Sequence, residues 1–299
     1  LNTYTVISAT DGNHGRALAL AARDAGCRCV IVLHAEVNAE REAAIAELGA
    51  DIVRIAGNYD ASVEEAARLA AEHGWQVVSD TSYDGYQDIP ADVMQGYATI
   101  AAEIIEQTRA EPSQCPYTHV FLQGGVGGMP AGIISFLWQF HGAARPHFVV
   151  AEPRQADCLT QSALAGRAAT ATGSVDSVMA GLACGAASPL AWRFLAESVD
   201  HFMTVEDDEA IAAMRALAKG STRDIPIVAG ESGTAGLAAL TLACGNANMA
   251  AQLGLAAQSR VLLVSTEGAT APQHYAREVG ETAEAVMARQ AAWQAPTRL

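Results

Sequence analysis

Two hydrophobic periods alternate along the first part of the chain. TVISAT (5–10), CVIVL (29–33), DIVRIA (51–56) and QVVSD (76–80) are short β-branched runs that read as buried strands. Between them lie alanine-rich stretches with apolar positions three and four apart, the helical period. These predict helices over 14–26, 38–49 and 61–73, the first closed by Gly26, the second opened by Asn38 and stopped by Gly49. A longer helix is predicted from about Ala91 to Arg109. Strand–helix alternation of this kind builds a parallel sheet with helices packed on its faces.

After EPSQCP (111–116), a polar stretch with two prolines that reads as a linker, the alternation resumes. THVFLQG (118–124), HFVVAEP (147–153), HFMTV (201–205) and RVLLVST (260–266) are the strands. Helices are predicted from Met129, over 206–219, over 232–244 and after 270, with 165–190 left as loop around short helices. The expected fold class is α/β: two three-layer domains with mostly parallel sheets, a smaller one over 1–110 and a larger one over 111–299.

Composition narrows the function. Eighteen basic residues against thirty-three acidic ones leave a net charge of −15, which disfavours nucleic acid as a partner, because phosphate backbones are held by clustered Lys and Arg. No apolar stretch is long enough to span a bilayer, so no membrane association is expected. Six cysteines are scattered without CxxC spacing, which points to reduced, buried thiols, Cys158 and Cys184 included, and to a cytoplasmic protein without a metal module. The chain contains a single lysine, Lys219.

Ligands bind beyond the carboxyl ends of parallel strands, and four such ends carry unusual residues. Ser8-Ala9-Thr10-Asp11-Gly12-Asn13-His14-Gly15 turns from a strand into a helix N-terminus, which suits an anion; the same residues also serve as an ordinary helix cap. Asp11 is placed to accept a proton or hold an ammonium group. Gly124, Gly125, Val126, Gly127 and Gly128, between strand and helix, form a phosphate-wrapping loop. It is neither a dinucleotide fingerprint, since Pro130 takes the third position, nor a Walker loop, since no lysine follows. Ser79-Asp80-Thr81-Ser82-Tyr83-Asp84-Gly85-Tyr86 is an acidic, hydroxyl-rich turn suited to a cationic group or to solvent. Ser265 and Thr266, ahead of Glu267-Gly268, offer hydroxyls to a ring nitrogen or to the next helix. No GxSxG elbow and no HExxH appears.

TDGNHG, GGVGGM and STEG, in this order, resemble the diaminopropionate ammonia-lyases, pyridoxal-phosphate enzymes of the tryptophan-synthase-β-like fold type II. The resemblance extends to SDTSYDGY (79–86), MQGYATI (94–100), VVAEP (149–153), MAGLACG (179–185) and ESGTAG (231–236), nearly the whole chain. It implies α,β-elimination of 2,3-diaminopropionate, a small amino-acid substrate, to pyruvate and ammonia with pyridoxal 5'-phosphate. It further implies that Asn13 contacts the cofactor's phenolic oxygen, residues 124–128 its phosphate, and Ser265 or Thr266 its pyridine nitrogen. Asp11 is then the acid–base group at Cα, Asp80 holds the substrate amine or assists the same proton transfer, and the enzyme is a homodimer. Other fold-type-II activities, serine or threonine dehydratase and amino-acid racemase, share the cofactor residues without needing Asp11. A ligand-binding homologue without catalysis is the third reading. The family's Schiff-base lysine lies upstream of the TDGN-type turn, ahead of Leu1, and Lys219 beside Gly220 reads as an exposed helix-end residue. The chain, starting at Leu1 and not Met, is accordingly expected to be part of a longer protein and by itself to lack the covalent anchor.

Overall fold

In a computed structural model, residues 4–294 are described, apart from Asp11, Glu36, Asn38 and Asn58. They form two compact units, Leu1–Asp80 with Thr270–Pro272, and Thr81–Ala269 with Gln273–Leu299.

The smaller unit runs β1 (Thr5–Ala9), α1 (Asn13–Ala25), β2 (Arg28–Leu33), α2 (Ala39–Ala46), β3 (Asp51–Arg54), α3 (Tyr59–His73) and β4 (Gln76–Val77). Its sheet is parallel with order β3-β2-β1-β4. Strand side chains alternate between faces, and β2 shows the result. Ile31 and Leu33 pack with Ala19, Ala22 and Ile45 from α1 and α2, while Val30 and Val32 pack with Ala66 and Ala70 from α3. Gly26 closes α1 in the left-handed region at φ 69°. Asn38, the expected start of α2, lies outside the described residues, and that helix ends at Ala46 with a turn carrying the chain to Gly49. The strands expected over 51–56 and 76–80 are shorter, because β3 and β4 are edge strands with one neighbour each.

The larger unit contains α4 (Asp88–Thr108), β5 (His119–Gln123), α5 (Gly128–His141), β6 (His147–Pro153), α6 (Cys158–Ala165), α7 (Pro189–Ser198), β7 (His201–Val205), α8 (Asp207–Lys219), α9 (Ala235–Gly245), α10 (Ala247–Leu253), β8 (Val261–Leu263), α11 (Pro272–Val279) and α12 (Ala283–Ala292). Its sheet, also parallel, has order β7-β6-β5-β8. Val120, Leu122, Phe148 and Val150 face a core shared with α4, α5, α6 and α7. Phe121, Val149 and Ala151 face α8 and α9.

The boundary between the units falls well ahead of EPSQCP, because α4 packs on α5 in the larger unit: a Cβ on Gly132 would lie 2.2 Å from the Met94 carbonyl. α4 also starts before Ala91, since Pro90 is tolerated in a first turn, where its missing N–H has no acceptor to lose. The pattern gave no sign of α10, which Asn246 caps through the N–H groups of Asn248 and Met249. The acidic run at 206–209 forms a capping box: Glu206 takes the Glu209 N–H, and Glu209 Oε2 takes the Glu206 N–H at 2.7 Å.

Candidate functional site

The strand order places the singled-out turns. In the smaller sheet the chain steps outward from β1 to β2 and β3, then returns to β4 on the other side of β1. Such a reversal opens a crevice at the carboxyl ends of the two strands flanking it. The turn after β1 carries Asn13, and the segment after β4 carries Asp80. Asn13, the first residue of α1, is exposed, and Asp80 is half-buried. His14 Nε2 donates to the Val78 carbonyl at 2.9 Å and ties the two segments together. Asp11 lies outside the described residues.

The larger sheet repeats the arrangement, with the reversal between β5 and β8. The glycine loop follows β5; Ser265 and Thr266 follow β8. Gly124 extends the ladder by donating its N–H to the Ala151 carbonyl (2.8 Å), and a Cβ there would lie 2.6 Å from Leu159 and 2.7 Å from Val150. Gly127 sits at φ 102°, and a Cβ would lie 2.8 Å from Leu195. The loop is therefore closed to side chains at both positions.

Three successive carbonyls of the loop are turned toward protein donors. Gly125 O accepts from the Cys158 thiol at 3.5 Å, Val126 O from Ser188 N at 2.9 Å, and Gly127 O from Ala131 N at 3.0 Å. In a trans peptide the N–H of the next residue points opposite to the carbonyl. The N–H groups of Val126, Gly127 and Gly128 accordingly turn the other way, joined by Met129 N–H from the first turn of α5, which has no acceptor within its helix. A row of backbone donors at the positive end of a helix fits a phosphate dianion.

Across the reversal, Gln123 anchors the β8 side. Its amide donates to the Val264 carbonyl at 2.9 Å and to Thr266 Oγ1 at 2.6 Å, which leaves the threonine's own proton free to donate. Ser265 is exposed and Thr266 half-buried. The next residue, Glu267, accepts from Ser232 N at 2.9 Å, and Ser232 Oγ accepts from Gly181 N at 3.0 Å. So ESGTAG and MAGLACG brace the turn after β8.

Residues that sequence reasoning missed support the loop from beneath. Glu152, fully buried at the end of β6, accepts from Leu159 N (2.9 Å) and Thr160 N (2.5 Å) at the start of α6. Burial pushes its carboxyl up to about 7, against the pull of these hydrogen bonds. The signal was there, an acid closing an apolar strand eight residues before Thr160, but nothing in the pattern says that it folds back onto a helix. Cys158 and Cys184 both lie against Gly125: the first donates to its carbonyl, and the sulfur of the second lies 3.0 Å from where its Cβ would be. Desolvation raises the Cys158 thiol far above its ordinary range. Lys219 is exposed at the last position of α8. That helix follows β7, and near its end the Leu217 carbonyl accepts the Ile227 N–H at 2.9 Å.

Comparison with known proteins agrees with this geometry. The family model "Pyridoxal-phosphate dependent enzyme" matches residues 1–267. Diaminopropionate ammonia-lyase of Escherichia coli K12 is 39% identical over 285 residues, 94% of this chain and 71% of the relative. The Salmonella typhimurium enzyme is 37% identical over 90% of this chain and 68% of its own length. The crystal structure of the holo E. coli enzyme superposes with a TM-score of 0.85 at 38% identity, covering 92% of this chain and 69% of that one. Threonine deaminase isoform 2 from Solanum lycopersicum, at 21% identity and a TM-score of 0.73 over 93% of this chain and 73% of that one, shares the fold. With the family model matching residues 1–267 and these relatives spanning nearly its whole length, the chain belongs to the pyridoxal-phosphate-dependent enzymes, among the diaminopropionate ammonia-lyases.

Proposed function

We propose that this protein eliminates ammonia from 2,3-diaminopropionate to give pyruvate, using pyridoxal 5'-phosphate. The inward-tied carbonyls of Gly125, Val126 and Gly127 carry the reading, because they present a row of N–H donors to a phosphate. Bound, the cofactor supplies an electron sink for the Cα–H bond pair.

Residues of this chain bind and orient the cofactor and substrate; the Schiff-base lysine that the resemblance implies is not among them. Gly124 to Gly128 hold the phosphate, Asn13 the phenolic oxygen, and Ser265 or Thr266 the pyridine nitrogen. Asp11 takes the Cα proton of one enantiomer, and Asp80 holds the substrate amine or assists that transfer. Loss of the proton from Cα lets the β-amino group leave as ammonia, and water replaces the α-amino group to complete pyruvate. The larger unit is the cofactor domain. The working form is a cytoplasmic homodimer, a reading supported by six free cysteines and by the family's habit of pairing. Among the described residues no helix is long and apolar enough to cross a membrane.

The test is pyruvate release by the cofactor-loaded enzyme from each enantiomer of 2,3-diaminopropionate, serine and threonine. Diaminopropionate is expected to be the best substrate. Pyruvate from serine with none from diaminopropionate would overturn the reading in favour of a dehydratase.

A further inference from the structure

Helix α7 begins in an unusual way. Ser188 is its N-cap and Pro189 its first residue, yet the Ser188 side chain caps nothing in its own helix. The N–H it would ordinarily accept, that of Leu190, is taken by Ser82 Oγ at 2.9 Å, from a segment 108 residues earlier. Ser188 Oγ returns the interaction by accepting the Ser82 N–H at 3.2 Å, and the two hydroxyls lie 2.9 Å apart. Both serines are buried, at 3% and 2% exposure. The Leu190 N–H at the helix start is thus satisfied from across the chain, where a local cap would have sufficed.

The two ends of this exchange reach different ligand segments. Ser82 belongs to the 79–86 turn, two residues after Asp80, and the turn closes on itself just beyond, where Tyr83 and Tyr86 exchange backbone hydrogen bonds (3.2 and 2.9 Å) and stack their rings. Ser188 donates its N–H to Val126 O, the carbonyl whose peptide turns the Gly127 N–H outward. Three and seven residues further along, Ala191 and Leu195 fill the space beneath Gly127. Helix α7 therefore touches the glycine loop at its start and along one face, while the 79–86 turn supplies its cap.

We propose that Ser82 and Ser188 are positioning residues that hold the 82–86 part of the substrate turn in register with the phosphate loop. A shift of either segment breaks two buried hydrogen bonds and frees the Leu190 N–H, so the two segments move together. The assignment of the bound groups rests on the function proposed above; the mechanical link does not.

The test combines amide exchange with steady-state kinetics on the cofactor-loaded enzyme carrying Ser82→Ala, Ser188→Ala or both. Exchange is expected to quicken together in 82–90 and in 124–129. KM for diaminopropionate should rise about tenfold, the size of one net hydrogen bond, with a much smaller loss in kcat. The double variant should be no worse than either single one, as one shared interaction requires. Where alanine prevents folding, Ser82→Cys keeps the volume and replaces the hydroxyl with a poor acceptor. Exchange that quickens only around Leu190, with 124–129 and KM unchanged, would overturn the proposal. If wild type gives no pyruvate from diaminopropionate while both segments still loosen together in the variants, the substrate assignment fails and the link stands.

Discussion

At Gly127 the demands of packing and of ligand binding fall on one residue. The φ of 102° turns the loop so that successive N–H groups face the same way, and Leu195 occupies the space a side chain would need. Gly127→Ala is expected to strain the backbone by about 1–3 kcal/mol and to lower pyridoxal-phosphate affinity at least about tenfold. Cofactor titration beside a urea melt measures both, and an unchanged affinity would show that the loop does not hold the phosphate. The strand–loop–helix setting of these glycines was legible in the sequence, because four glycines after a strand mark a tight turn. Asn13, Ser265 and Thr266 likewise follow strand ends, as the pattern predicted. Gln123, Ser82 and Ser188 were not legible. Their roles depend on partners 106 to 143 residues away, and a polar residue in a single sequence carries no mark of what it will meet.

Helix α6 owes its start to Glu152 and its place under the loop to Leu159, which lies against Gly124 and Gly127. The carboxyl keeps its proton up to about 7 in the folded protein, against an ordinary value near 4.5 in the unfolded chain. Its contribution to stability is therefore full below the unfolded value and is lost as pH rises through about 7, a span of about 3 kcal/mol. Glu152→Gln is expected to remove that slope between pH 5 and 8 while costing about 1–2 kcal/mol throughout, since an amide cannot accept from both the Leu159 and Thr160 N–H groups. Urea midpoints for the two proteins across that range test it; parallel curves would show that Glu152 titrates outside it. Periodicity found the strands and most helices because alternating and helical stripes survive in a single sequence. It lost the ends of β3, β4 and β8, where pairing with one neighbour sets the length, and it lost α10, which is too short for a clear period.

In each sheet the strand order turns back once, and the turns that sequence reasoning singled out follow the two strands flanking that point. Strand–helix alternation predicted the parallel sheets but not this order, which depends on where each crossover returns. The linker reading of EPSQCP failed for a related reason: prolines mark exposed chain, and α4 on one side packs with α5 on the other. Lys219 ends α8 with its side chain exposed, away from the residues that sequence reasoning assigns to the cofactor. Borohydride treatment of this 299-residue chain with pyridoxal phosphate should leave Lys219 unmodified through the cofactor site. A stoichiometric adduct at Lys219, abolished by Gly127→Ala, would contradict that placement.

The same isolation makes Lys219 a handle. Side-chain amine coupling has a single target in this sequence, the exposed Lys219. A fluorophore attached to its side chain would report from one defined position on α8 without an introduced cysteine.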